Sequence, residues 1–184
     1  MSAFNLKRKL GEFYLRRKLK NHQRNRELKN LGQCNSILLL SCESNDMEAR
    51  QMNEFLAVLK SDGKEVFSLF LPDFKRKEEK TYSANIEVIN KDHLNYIGIP
   101  SSSYIDELVN REFDLLIDLS ISDHFPLKYI HAMSQVKFRV GPAFNYKRDY
   151  ADLTIELTDI QGVEYLISQI KFYLTNINQH VTQS

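Results

Sequence analysis

The densest run of chemistry-bearing residues is Asp118, Ser120, Ser122, Asp123 and His124. Asp, His and Ser together are the vocabulary of acid–base or nucleophilic catalysis. The spacing does not make a nucleophile elbow, because no glycine stands near either serine. A second reading makes Asp123-His124, ahead of Phe125-Pro126, the start of a helix, with the carboxylate favoured by the helix dipole. Cys42 and Ser101 are further polar positions in candidate ligand loops. Cys42 has acidic neighbours, Glu43 and Asp46, which oppose the thiolate a nucleophile needs. The segment Ser41 to Asp46 holds no glycine, so it is not a phosphate-cradling turn of dinucleotide or P-loop type. Neither the histidines (22, 93, 124, 131, 180) nor Cys34 and Cys42 pair at metal-ligand spacing. No metal, cofactor or catalytic residue is expected from the pattern.

Charge carries a stronger signal. Residues 1–33 hold ten basic side chains: Lys7, Arg8, Lys9, Arg16, Arg17, Lys18, Lys20, Arg24, Arg26 and Lys29. Against them stand only Glu12 and Glu27, so this segment is +8. Residues 34–184 carry 15 basic and 22 acidic side chains, or −7, which leaves the whole chain at +1. Such asymmetry points to a basic arm on an acidic body.

The arm reads as helix, rich in Leu, Lys, Arg, Glu and Gln, with Gly32 as its stop. Leu6, Leu10, Phe13 and Tyr14 fall on one face and make the expected docking stripe. Three readings compete for its role. It packs back on the body as a solvated helix, or it contacts RNA or DNA phosphates, or it lies on an anionic membrane surface. RNA, ribosomal or otherwise structured, is the favoured partner, with Arg16, Arg17, Lys18, Lys20, Arg24 and Arg26 as chief contacts. An acidic protein partner or a second copy of the chain is the remaining possibility.

These residues need a scaffold, and the rest of the chain supplies one. The apolar fraction of 42% is enough to fill a core, which excludes wholesale disorder. Ser36 to Ser41 and Phe113 to Leu119 are short apolar runs of the kind that make buried parallel strands. Glu65–Leu71, Val136–Val140 and Leu153–Leu157 read as further strands, with Ile86–Ile89 and Leu94–Ile99 weaker. Between them lie helical patterns through Met47–Leu59, Tyr104–Val109, Leu127–Met133 and Ile160–Ile177. Phe74 to Asn85 and residues 143–150 read as polar turns. Alternation of this kind implies βαβ units, hence a mostly parallel, doubly wound sheet of Rossmann-like or flavodoxin-like type. The expected organisation is an arm (1–33), one α/β domain (34–179) and a frayed tail (180–184).

No apolar run approaches the roughly 20 residues that cross a bilayer, and the first 30 residues lack the apolar stretch of a secretory signal. With two cysteines and no export signal, a cytoplasmic location is the expectation.

Two resemblances follow from these motifs. Phe113-Asp-Leu-Leu-Ile-Asp-Leu-Ser, a helix, and Lys137-Phe-Arg-Val-Gly141 together resemble the acceptor-side half of heptosyltransferase-type GT-B glycosyltransferases. That resemblance implies the α/β fold. The chain as a whole is similar to a family of short uncharacterised bacterial proteins. They share the basic N-terminal helix, the Phe113–Leu119 strand and the Phe125-Pro-Leu-Lys-Tyr-Ile130 helix. The family implies no catalytic role. The function expected is therefore a non-enzymatic binding module. A small-molecule-binding protein or enzyme using the strand-end loops is the alternative, and a protein-interaction domain is the third.

Overall fold

The structure, a computed structural model, describes residues 3–42, 45–74, 86–143, 147–158 and 160–177. Six strands form one parallel sheet: β1 (Ser36–Cys42), β2 (Glu65–Leu71), β3 (Ile86–Val88), β4 (Phe113–Asp118), β5 (Val136–Pro142) and β6 (Leu153–Ile155). Their order is β3-β2-β1-β4-β5-β6, the doubly wound Rossmann-like arrangement. The helices are α1 (Ala3–Leu19), α2 (Asp46–Ser61), α3 (Ser103–Asn110), α4 (Phe125–Met133), the short α5 (Lys147–Tyr150) and α6 (Val163–Asn176).

The central strands are apolar on both sides because both faces are covered. Ile37 and Leu39 of β1 pack with Met52, Phe55, Leu56 and Leu59 of α2 and Leu166 and Ile170 of α6. Leu38 and Leu40, pointing the other way, pack with Ile105 and Leu108 of α3 and Leu127 and Ile130 of α4. Alternate side chains of one strand thus feed two separate cores, which explains the unbroken Ile-Leu-Leu-Leu run. Helix starts follow ordinary capping. The Asn45 side chain accepts from the Glu48 amide and Ser102 accepts from the Ile105 amide.

α1 adds a further layer outside α4. It rests on α4 rather than on the sheet, through a small cluster of Leu15, Ile99, Phe125, Tyr129 and Ala132. Leu15 is fully buried there.

Several local expectations change. The helix expected to run to Gly32 ends at Leu19, and residues 22–30 form an extended strap. The strap runs beneath the amino-terminal ends of β5, β4 and β1, where the Glu27 amide donates to the Lys137 carbonyl at 3.2 Å. Leu94–Ile99 is not a strand. Asn95 gathers it into a tight turn, its Oδ1 accepting from the Ile97 and Ile99 amides, with Gly98 at φ +80°. Its one ladder contact is an isolated antiparallel bridge between Leu94 and Pro100. Residues 147–150 of the expected 143–150 turn make a helical turn. Most of the charged loop at 74–85, Glu43 and the 180–184 tail lie outside the described residues.

Candidate functional site

Two regions hold the candidate residues. The first is the carboxyl-terminal end of the sheet, where strand order reverses between β1 and β4 and where ligands of doubly wound folds bind. Cys42 closes β1 and Asp118 closes β4. The loop after β4 then sorts its residues into an inner and an outer set.

The inner set is sealed. Asp118, Ser120 and His131 are all fully buried. Asp118 Oδ1 accepts from both the Ser120 amide (2.9 Å) and the Ser120 hydroxyl (2.5 Å). Asp118 Oδ2 lies 3.1 Å from His131 Nδ1. This network ties the end of β4 to the last turn of α4 and satisfies a carboxylate that burial would otherwise penalise. Asp118 and Ser120, read from sequence as ligand-loop residues, are therefore internal posts. His131 was visible in sequence only as one more residue of an apolar helix. Its partner stands 13 positions earlier, on another element.

The outer set faces solvent. Ser122 is exposed, and its Oγ lies 2.9 Å from His124 Nε2 and 3.5 Å from Cys42 Sγ. The buried Cys42 thiol, a serine and a histidine thus meet at the switch point. Asp123 turns away to Arg8 of α1 at 2.5 Å. His124 occupies the α4 N-cap position without a side-chain cap bond. Ser101 stands apart, exposed before α3, with its amide donating to the His93 carbonyl at 2.8 Å. The neighbouring Ser102 does the capping.

The second region is the basic arm, and the structure divides its ten cations by what they touch. Arg24 and Lys29, read from sequence as phosphate contacts, are spent inside the molecule. Arg24 sends two prongs to Asp152, at 2.7 and 2.6 Å, and its side chain is 5% exposed. Lys29 reaches Asp114 at 2.7 Å. Burial alone would raise the Asp114 pKa. Hydrogen bonds from Lys29 and from the Asn35 and Ser36 amides outweigh it and hold the carboxyl well below the usual range. Arg8 bridges Asp123 and Glu12. Lys18 meets the Tyr129 hydroxyl at 3.3 Å and the Tyr14 ring, and Lys7 lies over Tyr96. Arg26 keeps only a 3.7 Å contact to Asp152 and is 76% exposed.

Lys9, Arg16, Arg17 and Lys20 are exposed and form no ion pair among the described residues. At 100° per residue Lys9, Arg16 and Arg17 lie on the side of α1 opposite Gly11 and Leu15, and Lys20 follows in the turn after the helix. Glu12, the only acid of α1, points inward, between Arg8 and Lys128. The expected docking stripe is also turned outward: Leu6, Leu10, Phe13 and Tyr14 are exposed, and the helix docks by Gly11 and Leu15 instead. The reason is steric. Gly11 lets α1 come so close to Phe125 and the Ile97 carbonyl that a Cβ there would sit 2.6 Å from the ring.

Beneath the sheet, buried Arg139 donates to the carbonyls of Ala132 and Ser134, which the end of α4 leaves without helical partners. Burial, with Arg24 nearby, pulls its pKa down to about 9. A shallow cleft lined by Arg24, Asn25, Glu112, Gln135, Val136 and Lys137 lies at this amino-terminal end, away from the switch point.

Among solved structures, the chain is similar to the glycosyl transferase family 9 protein from Veillonella parvula DSM 2008. The two share 12% identity at a TM-score of 0.45, over 78% of this chain and 42% of that one. The chain thus spans less than half the length of that structure. No curated protein matches the chain. A family model matches residues 7–177, from within α1 to the end of α6, and the chain belongs to that family, the family of unknown function DUF6913.

Proposed function

We propose that the chain is a non-enzymatic binding module that engages RNA through the outward face of α1. The observation that carries this reading is the sorting of charge on that helix. Lys9, Arg16 and Arg17 share one solvent face of the helix, Lys20 follows in the turn beyond it, and none of the four forms an ion pair among the described residues, while Glu12 is drawn to Arg8 and Lys128. Cations so placed take up phosphates and release counterions. The arm of residues 1–33 then has two jobs. Its strap holds the fold together, and its helix presents charge to a partner.

The test is binding of the full chain to a labelled RNA hairpin with an unpaired tail, across a salt series. Log affinity should fall with log salt at a slope of roughly −3, about −0.7 for each of four phosphates on a single strand. Reversing Arg16, Arg17 and Lys20 to Glu should flatten the slope and abolish binding. Salt-insensitive binding, or full binding by that variant, rejects the reading.

The meeting of Cys42, Ser122 and His124 at the switch point favours a second reading, a small-molecule site there. A thermal-shift screen of nucleotides and sugars tests it. A stabilising compound should lose its effect in Ser122→Ala and His124→Ala.

A further inference from the structure

We infer that the RNA bound by α1 is unpaired, with bases stacked on Phe13 between the flanking cations; this rests on the RNA reading above. The starting point is what the outward face contains besides charge. Phe13 is 67% exposed, Leu6 58%, and Leu10 and Tyr14 41% each. α1 buries its opposite face, so Phe13 and Leu6 above all are left with most of their apolar surface in water. They are interleaved with the cations. Phe13 has Lys9 four residues before it, Arg16 three after and Arg17 four after, the spacings that make helix-surface neighbours. A planar apolar ring is therefore fenced by three positive charges.

A duplex cannot use that arrangement. Its bases are stacked internally, and an A-form helix offers side chains phosphates and 2′-hydroxyls. Docked on a duplex, Phe13, Leu6 and Leu10 would be pressed against charged backbone. An unpaired strand offers both parts, with phosphates for the cations and base faces for the ring. Stacking is tolerant of base identity, so the face should select by strandedness rather than by sequence. The apolar part spans Leu6 to Phe13, about 10 Å at 1.5 Å per residue, and Arg17 ends it. That is a small footprint for insertion into a lipid surface, which calls for a larger continuous apolar face.

The experiment compares three probes with the full chain. They are an RNA strand that cannot pair, a blunt RNA duplex with the same number of phosphates, and phosphatidylserine vesicles. Each is measured for wild type, Phe13→Ala and the doubly charge-reversed Arg16→Glu/Arg17→Glu. Phe13 is outside the core, and unchanged melting temperatures check that the variants fold. The unpaired strand should bind roughly tenfold tighter than the duplex, and Phe13→Ala should erase that gap while leaving duplex affinity unchanged. Charge reversal should weaken both RNAs. Equal affinity for the two RNAs, or an unaffected gap in Phe13→Ala, overturns the stacking inference. In that case, loss of binding on charge reversal still supports the RNA reading. Absence of RNA binding rejects both. Vesicle binding tighter than either RNA, and sensitive to Phe13→Ala, assigns the face to membranes and overturns the inference.

Discussion

Arg24 and Asp152 are 128 residues apart in sequence and form a two-pronged ion pair that fastens the arm's strap to the outer half of the sheet. Asp152 precedes β6 and also accepts the Arg139 amide at 2.9 Å, so one carboxylate serves the strap and the β5 backbone together. Arg24 further donates to the Val136 carbonyl at 3.2 Å. Removing one partner of such a pair leaves a poorly solvated charge. Arg24→Ala or Asp152→Asn should therefore cost about 3 kcal/mol. Replacing both together, as Arg24→Met/Asp152→Leu, should recover only part of the loss: neither member of the pair is then left alone, but the Arg139 amide loses its acceptor and the buried Arg139 guanidinium its neighbouring carboxylate. Denaturant midpoints with an unchanged slope measure this. Single variants as stable as wild type would mean that the pair does not hold the strap.

Asp114 gives the fold an acid limit. Its carboxyl is held below the ordinary range in the folded chain, so on acidification the unfolded chain takes up this proton first. The contribution is complete above an unfolded-state pKa of about 3.9 and is lost as pH falls from there toward the folded-state value. Asp114→Asn should be destabilised at neutral pH and approach wild type below about pH 4. Parallel stability curves for the two proteins across that interval would contradict the assignment.

The same residues show what a sequence can and cannot convey. β1 and β4 were legible because a strand buried on both faces must be apolar without a break, and Ile37–Leu40 and Leu115–Ile117 are. The end of α1 was not legible. Nothing between Lys20 and Asn30 breaks a helix locally. The extended strap is imposed by Asp114 and Asp152, which lie 85 and 128 residues from their partners. The docking side of α1 was misread for a related reason. Hydrophobic spacing marks Leu6, Leu10 and Phe13, whereas the contact is decided by how closely Gly11 approaches Phe125. At the switch point the run from Asp118 to His124 stands out in the sequence by its polar composition alone. Its division into a sealed Asp118–Ser120–His131 set and an exposed Ser122–His124 pair depends on α4 bringing His131 back beneath the strand end.

His22 should make the strap sensitive to mild acid. Its Nε2 is buried with no hydrogen-bond partner among the described residues, and burial, with Arg139 and Arg24 close by, pushes its pKa down. A histidine depressed in the folded state is protonated first in the unfolded chain. Stability is thus complete above an unfolded pKa of about 6.5 and falls below it. Wild type should lose stability between pH 7 and 5, and His22→Gln should lose less. A proton titration of the ring by NMR locates the folded-state value. A midpoint at or above 6.5 would rule out the mechanism.

Gly11 provides the sharpest test of how α1 is seated, because two effects of opposite sign compete there. In a solvated helix interior, Gly→Ala stabilises by about 1 kcal/mol through backbone entropy. Here a Cβ would sit 2.6 and 2.7 Å from Phe125 ring atoms and 2.8 Å from the Ile97 carbonyl oxygen. The ring could shift, but the carbonyl belongs to the turn that Asn95 holds from both sides, so it has little freedom to retreat. Overpacking of this kind costs roughly 1–3 kcal/mol, enough to cancel or reverse the helical gain. Gly11→Ala should therefore be no more stable than wild type and Gly11→Val clearly less. The damage should be confined to α1, since its contact is with α4 and not with the sheet. Trypsin should reach the Arg16–Lys20 segment sooner in both variants, while amide protection in β1 and β4 is retained. A Gly11→Ala variant that gains the full helical increment and resists trypsin like wild type would show α1 standing free of Phe125.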